Sequence, residues 1–303
     1  MFNRFIVWML QYMPERLVWI FSKRYIAGKT LGDAFAVARE LNSQGIRVSL
    51  DVLGEFTTRN EQIEYYKKEY LTTIEETAKS KLDASFSIKP TMFGLLMEKE
   101  LCYNNLKQII AKAASYNYFV QVDMEDSQCT DMEIDIFNHL YAEFPDHVGF
   151  VVQAYMHRTL NDIRNLIVMH PQKNLGSLRI CKGIYVEPKE IAYKGKQEIR
   201  DHYLEDLEFM FRNNIYAAIA THDKMLVEGA CRLIEKYQIP IDQFEFQMLY
   251  GVTPRLRNSI VQRGYAMRVY VPFGKDWFNY CNRRLKENPF MMWDLLKALV
   301  VRN

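Results

Sequence analysis

Tyr118-Phe-Val-Gln-Val-Asp123 is a short, largely apolar run that ends on a carboxylate, and a longer stretch with helical spacing, Asp131–Phe144, follows it. The same pairing recurs along the chain. Seven further runs rich in β-branched or aromatic residues occur at Arg47–Leu53, Ala84–Ile88, Val148–Ala154, Ser177–Lys182, Tyr216–Ala220, Phe244–Met248 and Met267–Val271. Helical spacing recurs at Glu61–Lys81, Leu106–Ser115, Tyr203–Phe211, Lys224–Tyr237 and Pro254–Arg263. Strands that alternate with helices predict βαβ units and a parallel sheet.

Eight strand candidates of this kind predict an α/β fold of the (βα)8, or TIM, barrel type. The 303 residues would allow two average domains, but a barrel uses about 250 residues as one domain. A doubly wound sheet is the alternative, and it usually has a Gly-rich turn after its first strand. Asp51-Val-Leu-Gly-Glu55 stands there instead. We therefore expect a short apolar helical arm over residues 1–28 and one catalytic barrel over residues 29–303.

Composition excludes several classes of protein. The 39 Lys and Arg residues against 37 Asp and Glu residues leave a net charge of +2, which is too balanced for broad binding to nucleic acid. The five cysteines are scattered without a CxxC pair, as in a reduced, cytoplasmic protein. Pro14 interrupts the apolar N-terminus well before the ~20 residues that a membrane span needs. Two alternatives remain for the arm: it packs on the barrel, or it contacts a membrane surface.

Polar side chains stand at the ends of nearly all the predicted strands. They are Lys89, Asp123, Gln153, Arg179 with Lys182, and His222, joined by Glu245 and Gln247 in the seventh strand and by Arg268 and Tyr270 in the eighth. Because catalytic groups of barrel enzymes lie at the C-terminal ends of the strands, this pattern predicts a ligand site there. The six histidines show no metal-binding spacing, so no metal site is expected. Lys89 or Lys182 leaves a Schiff-base lyase open as an alternative.

A second polar constellation follows the last strand. On a helix, Tyr280, Arg283, Arg284 and Glu287 share one face. Two adjacent guanidinium groups match the planar geometry of a carboxylate or phosphate. The spacing therefore predicts an anion clamp near the mouth of the barrel, although a solvent-exposed charged face would show the same pattern.

Several motifs resemble those of the flavin-dependent proline dehydrogenases. They are Leu178-Arg-Ile-Cys-Lys-Gly-Ile-Tyr185, Phe244-Glu-Phe-Gln-Met-Leu-Tyr-Gly251, Arg268-Val-Tyr-Val-Pro-Phe-Gly274, Tyr280-x-x-Arg-Arg-x-x-Glu-Asn288, Ala220-Thr-His222 and Val152-Gln-Ala-Tyr155. They follow the family's order from about Tyr25 to Pro289. The resemblance implies a distorted (βα)8 barrel that binds FAD, oxidises L-proline to Δ1-pyrroline-5-carboxylate and passes electrons to a quinone at the membrane.

The resemblance also implies a role for each matching residue. Arg283, Arg284 and Lys89 would hold the proline carboxylate, and Tyr185, Leu249, Tyr270 and Tyr280 would line the pocket around the ring. Asp123 would be a supporting acid. Flavin contacts would come from Gln153, Arg179, Lys182, Gly183, Thr221 and His222, with Arg179 near flavin N5. Glu55 would pair with Arg283 as a gate. A tyrosine at 270 suggests proline over hydroxyproline, because hydroxyproline-oxidising relatives have a smaller residue there.

Two departures from the bifunctional forms of the family are visible. Ile180 and Ile184 replace their usual Leu and Ala, and the loop Phe273-Gly-Lys-Asp-Trp277 is shorter. With Asn303 as the last residue, we also expect no aldehyde-dehydrogenase domain. We therefore expect a monofunctional enzyme whose product is oxidised by a separate pyrroline-5-carboxylate dehydrogenase. Another flavin barrel enzyme, similar to methylenetetrahydrofolate reductase, is the nearest alternative.

Overall fold

The structure is a computed structural model that describes residues 18–19, 22–171, 175–278 and 280–281. Within these residues, eight parallel strands close into a barrel in the order β1 to β8. The elements are α1 (Leu31–Ser43), β1 (Arg47–Val52), α2 (Asn60–Lys79), β2 (Ala84–Ile88), a short 3-10 helix (Pro90–Phe93), α3 (Lys99–Ala114), β3 (Val120–Val122), α4 (Thr130–Glu143), β4 (Val148–Gln153), α5 (Thr159–Met169), β5 (Ser177–Cys181), α6 (Lys196–Arg212), β6 (Tyr216–Ala220), α7 (Lys224–Tyr237), β7 (Phe244–Leu249), α8 (Pro254–Gln262) and β8 (Met267–Phe273). The predicted barrel is confirmed.

The strands form where the sequence predicts them because their residues are buried on both sides. In β2 and β4 every residue is buried, since one face points into the barrel and the other lies under the helices. The barrel closes through β1 and β8, which pair in register from Arg47 opposite Arg268 to Val52 opposite Phe273. The C-terminal ends of all eight strands therefore meet at one rim.

The helices are less completely predicted than the strands. Helices α1 and α5 have no counterpart among the predicted stretches. Helices α3 and α6 begin earlier than expected, at Lys99 and Lys196. The first turn of α6 is rich in charged, solvent-facing residues, so apolar spacing does not reveal it. Thr30 begins α1 with a capping box, in which Thr30 and Asp33 bond each other's backbone.

Two polar strand residues lie at the opposite end of the barrel from the expected site. Glu245 and Arg268 are each the second residue of their strand. The guanidinium of Arg268 bonds both oxygens of Glu245, at 2.6 and 3.1 Å, and the carbonyl of Val48 at 3.1 Å. Placing these two residues with the strand-end site is therefore wrong. They form a buried ion pair that fills the N-terminal end of the barrel.

The N-terminal segment adjoins the last strand. The N–H of Ala27 donates to the carbonyl of Pro272, and Gly28 forms an isolated bridge with Phe273. Val18, Ile26 and Trp277 belong to one apolar cluster beside the barrel. The boundary at residue 28 and the helical nature of the arm stay predictions, because residues 1–17 lie outside the described part of the chain.

Candidate active site

A cavity of about 260 Å³ opens at the C-terminal rim of the barrel. Seven predicted substrate-binding or catalytic residues line it, namely Lys89, Asp123, Arg179, Tyr185, Leu249, Tyr270 and Tyr280. The predicted cofactor contacts Gln153, Lys182, Gly183, Thr221 and His222 line it as well. The parallel barrel thus collects in one cavity residues that are widely separated in the sequence.

The floor of the cavity is built around the ammonium group of Lys89, which follows β2. Its Nζ lies 3.0 Å from Oδ1 of Asp51, 3.1 Å from the hydroxyl of Tyr270 and 3.5 Å from Oδ2 of Asp123. The side chain of Lys89 is only 11% exposed and that of Asp51 is fully buried. A buried charge needs such partners to offset its lost hydration, and together they hold one cation at a defined place in the cavity.

Asp123, which follows β3, connects this cation to Arg179. Its Oδ1 accepts hydrogen bonds from Nη1 of Arg179 and from the hydroxyl of Ser87, both at 2.7 Å. Its Oδ2 accepts one from the hydroxyl of Tyr270 at 3.1 Å. Since Tyr270 donates to Asp123, its oxygen accepts the bond from Lys89. Asp123 therefore fixes the orientation of two residues that line the cavity.

The charges of this network follow from its environment. Burial opposes the charged form of Lys89, but the nearby carboxylates of Asp51 and Asp123 outweigh it and hold the pKa of Lys89 well above its usual value. Burial, together with the same two carboxylates, raises the pKa of Tyr270 well above its ordinary value. Lys89 is therefore an ammonium cation at neutral pH, and Tyr270 is a neutral phenol.

The other side of the cavity offers donors and a further cation. Nε of Arg179 is buried and has no hydrogen-bond partner among the described residues. The Nζ of Lys182 lies 3.3 Å from Asp223, and its side chain is 44% exposed. Nε2 of His222 accepts the N–H of Leu249 at 2.8 Å, so that nitrogen carries no proton. Such a set of donors and a cation fits the polar edge and phosphates of a flavin.

Gly183 has a backbone conformation that explains the glycine in its motif. Its φ is +98°, and a Cβ there would lie 2.1 Å from Cδ1 of Tyr155. Tyr155 is buried, so its ring cannot move aside into solvent. Only glycine lets the chain pass this close to the ring and continue along the cavity.

Replacing Gly183 by Ala is expected to lower the free energy of unfolding by about 2–4 kcal/mol, because backbone strain and overpacking add. Gly45→Ala is the matched control, since Gly45 has a φ of +72° with open space around it. We expect the control to lose about 1 kcal/mol, for strain alone. Denaturant unfolding of both variants checks the difference. Equal losses would show that the contact with Tyr155 does not matter.

Three predicted residues are not seen lining this cavity. Glu55 lies partly buried in the loop between β1 and α2, and it is not among the described lining residues. Arg283 and Arg284 lie outside the described residues. The gate formed by Glu55 and Arg283 and the carboxylate clamp therefore stay predictions.

Asp51, Ser87 and Tyr70 are parts of the site that the sequence patterns do not reveal. Asp51 lies within the buried part of β1, where a carboxylate between Leu50 and Val52 is the one visible signal. The hydroxyl of Tyr70, on α2, donates to the carbonyl of Ser87 at 2.6 Å and accepts the N–H of Val52 at 3.2 Å. Tyr70 thereby ties the ends of β1 and β2 together beneath Lys89.

Within the ranges that the structure describes, no three His, Cys, Asp or Glu side chains are grouped so that they could hold a metal ion. The acidic side chains of Asp51 and Asp123 instead pair with the ammonium group of Lys89. The arrangement suits the binding of a small anionic molecule.

Comparisons with known proteins identify the family. The proline dehydrogenase family model matches residues 34–292. Proline dehydrogenase 2 of Bacillus subtilis is 36% identical over 273 residues, covering 88% of each chain, and the Deinococcus radiodurans proline dehydrogenase is 31% identical over 297 residues, covering 95% of this chain and 94% of that one. The structure of proline utilization A from Bdellovibrio bacteriovorus has the same fold, with a TM-score of 0.81 at 23% identity over 88% of this chain and 33% of that one. This chain, a (βα)8 barrel with Lys89 inside the cavity at its rim, belongs to the proline dehydrogenase family.

Proposed function

We propose that this flavin-dependent proline dehydrogenase binds FAD and L-proline together in the cavity at the rim of its barrel and oxidises proline to Δ1-pyrroline-5-carboxylate. The observation that carries the proposal is the ammonium group of Lys89, held inside the cavity by Asp51 and Asp123. It offers a fixed positive charge to a small carboxylate. Membership of the proline dehydrogenase family indicates that this carboxylate is that of proline.

Binding of the substrate carboxylate is assigned to Lys89 together with Arg283 and Arg284. A buried cation orients a carboxylate strongly, because a charge-assisted hydrogen bond is about twice as strong as a neutral one. Tyr185, Leu249, Tyr270 and Tyr280 provide the apolar and aromatic walls for the pyrrolidine ring. Fixing the carboxylate and the ring together leaves C5 in one defined position, which is the contribution of orientation to catalysis.

The cofactor site is assigned to the opposite side of the cavity. When bound, FAD supplies a two-electron acceptor for the hydride that leaves C5 of proline. Nε of Arg179, buried without a partner among the described residues, is the donor we assign to the isoalloxazine. Gln153, Lys182, Gly183, Thr221 and His222 are assigned to the remaining contacts. Asp123 holds Arg179 in place through a bond of 2.7 Å.

The electron acceptor is proposed to be a quinone at the membrane surface, reached by a peripheral contact from the cytoplasm. Among the described residues, no helix combines the length and the apolar character needed to cross a membrane. Further oxidation of the product is assigned to a separate pyrroline-5-carboxylate dehydrogenase. The names of the Bacillus and Deinococcus relatives, which mention proline dehydrogenase alone, fit this division.

Two alternatives lose support. A Schiff-base lyase needs a neutral amine, whereas Asp51 and Asp123 keep Lys89 protonated by raising its pKa. Lys182 pairs with Asp223 at 3.3 Å and is partly exposed to solvent, unlike a lysine in an apolar pocket. The alternative of a flavin barrel enzyme similar to methylenetetrahydrofolate reductase loses support because the family model that matches residues 34–292 is that of proline dehydrogenase.

Steady-state turnover tests the assignment of substrate and acceptor. We expect L-proline to reduce a water-soluble quinone analogue in the presence of the protein, with a cyclic imine as product. NADH should not replace proline, and heat-released cofactor should have the mass of FAD. Reduction by NADH without proline would favour the reductase alternative, and release of a flavin with the mass of FMN would contradict the cofactor assignment.

A further inference from the structure

Thr91 connects two segments at the rim of the barrel that otherwise belong to different βα units. It follows Lys89 and Pro90 at the start of the 3-10 helix and is 1% exposed. Its N–H donates to Oε2 of Glu125 at 2.8 Å, and its hydroxyl donates to Oε1 of the same carboxyl group at 2.6 Å. Both donors of Thr91 are thereby committed to one buried side chain.

The acceptors of Thr91 face the loop after β1. Its Oγ1 accepts the N–H of Phe56 at 3.1 Å, and its carbonyl accepts the N–H of Thr57 at 3.2 Å and the hydroxyl of Thr57 at 3.1 Å. Because the hydroxyl proton points to Glu125, the lone pairs of Oγ1 point to Phe56. The hydrogen bond to Glu125 thus orients the hydroxyl of Thr91 so that its oxygen can accept the N–H of Phe56.

The loop that Thr91 holds is under conformational constraint. Phe56 has a φ of +48°, a left-handed conformation that costs a residue with a side chain about 1–2 kcal/mol. A Cβ on Gly54 would lie 2.5 Å from the ring of Tyr66, so the other side of the loop rests against α2. Glu55 lies between these two fixed points, and its position depends on both.

Hydrogen bonds of its own backbone hold Glu125 in a fixed position. It is fully buried. Its N–H donates to both carboxyl oxygens of Glu133 on α4, each at 3.1 Å, and its carbonyl accepts Nε2 of Gln153 at 2.7 Å. The same residue therefore connects α4, the cavity residue Gln153 and, through Thr91, the loop that contains Glu55.

We propose that Thr91, oriented by Glu125, is a positioning residue for the loop at 54–57, and that closure of this loop over bound proline depends on the hydroxyl of Thr91. The proposal rests on the proposed function and on the gate that the family resemblance implies, in which Glu55 closes the site and excludes water. Thr91 itself is not among the described residues that line the cavity. Through Glu125, Thr91 connects the loop to β3 and α4, which are rigid. This connection defines one closed position to which the loop can return.

Comparison of Thr91→Val with Thr91→Ser tests the proposal. Valine has nearly the shape of threonine but no hydroxyl, whereas serine keeps the hydroxyl. For Thr91→Val we expect the KM for L-proline to rise about tenfold with kcat changed less than threefold, as for the loss of one or two buried hydrogen bonds. The peptide covering residues 53–59 should exchange its amide hydrogens about tenfold faster, while exchange in β3 stays as in the wild type. Thr91→Ser should restore both values to within about twofold.

Thr57→Val provides a second test that keeps the contact between Thr91 and Glu125. It removes only the bonds from the Thr57 hydroxyl to the carbonyls of Thr91 and Met92, and we expect a smaller change in the same direction. Equal KM values and equal loop exchange in Thr91→Val, Thr91→Ser and the wild type would overturn the proposal while leaving proline oxidation intact. A wild type that exchanges slowly in the loop but does not oxidise proline would instead refute the proposed function.

Discussion

Replacing Arg284 by Met is expected to raise the KM for L-proline by at least about 30-fold, since removing one partner of a desolvated charge pair costs about 2–5 kcal/mol. The carboxylate of bound proline would lose one of its guanidinium partners and keep Lys89. Tyr280 lines the cavity, and the predicted helix would place Arg284 on the same face, four residues later. Steady-state kinetics with varied proline measures the effect.

The content of bound flavin separates a substrate effect from a folding effect. We expect Arg284→Met to retain the wild-type amount, because the flavin contacts are assigned to other residues. Arg257→Met is the matched control, since the side chain of Arg257 on α8 bonds only its neighbour Asn258 among the described residues. An unchanged KM in Arg284→Met, or an equal rise in the control, would contradict the assignment of Arg284 to the proline carboxylate.

Replacing Glu245 by Leu is expected to lower the free energy of unfolding by about 3–5 kcal/mol, the usual cost of leaving one buried charge without its partner. Arg268 would remain inside the barrel, where its side chain is 14% exposed. Its remaining bonds, to the carbonyl of Val48 and the hydroxyl of Ser85, would not neutralise its charge. Denaturant unfolding at neutral pH measures the loss.

The double variant Glu245→Leu with Arg268→Leu provides the control, because apolar residues can replace a buried ion pair without large loss. We expect it to be more stable than Glu245→Leu alone. Burial alone would raise the pKa of Glu245, but Arg268 outweighs it and holds that pKa below its usual value. The stabilisation from Glu245 is therefore complete above the unfolded pKa of about 4.3 and is lost as the pH falls through the lower folded value.

This pH dependence provides a second check on the ion pair. The difference between wild type and Glu245→Leu should shrink in acid, as Glu245 becomes protonated in the folded protein. If the free energy of unfolding of Glu245→Leu lay within about 1 kcal/mol of the wild-type value at neutral pH, the ion pair would contribute less than its burial implies.

Much of the fold is predictable because buried parallel strands leave a plain pattern. The runs ending at Ile88 and Ala220 coincide with β2 and β6, since strands covered on both faces contain few polar residues. Helices α1 and α5 escape because only part of each buried face is strongly apolar: the face includes Ala34 and Ala38 in α1, and Thr159 and Asp162 in α5. The charged first turn of α6 is missed for the same reason.

The site is predictable where its residues lie at strand ends and unpredictable where they lie elsewhere. Lys89, Asp123 and Tyr270 meet in one network as their strand positions suggest. Glu245 and Arg268 have the same chemical character, but they lie at the start of their strands, so the barrel places them at its other end. The contact between Thr91 and Glu125 depends on how two loops cross, which one sequence does not reveal.

An anaerobic absorbance titration of the purified protein with L-proline tests whether a flavin bound to this protein accepts electrons from proline. We expect the protein to be yellow, its flavin absorbance to bleach on addition of L-proline without any other reductant, and a quinone analogue to restore the colour. Protein that contains flavin but keeps its full absorbance at saturating proline would contradict this expectation.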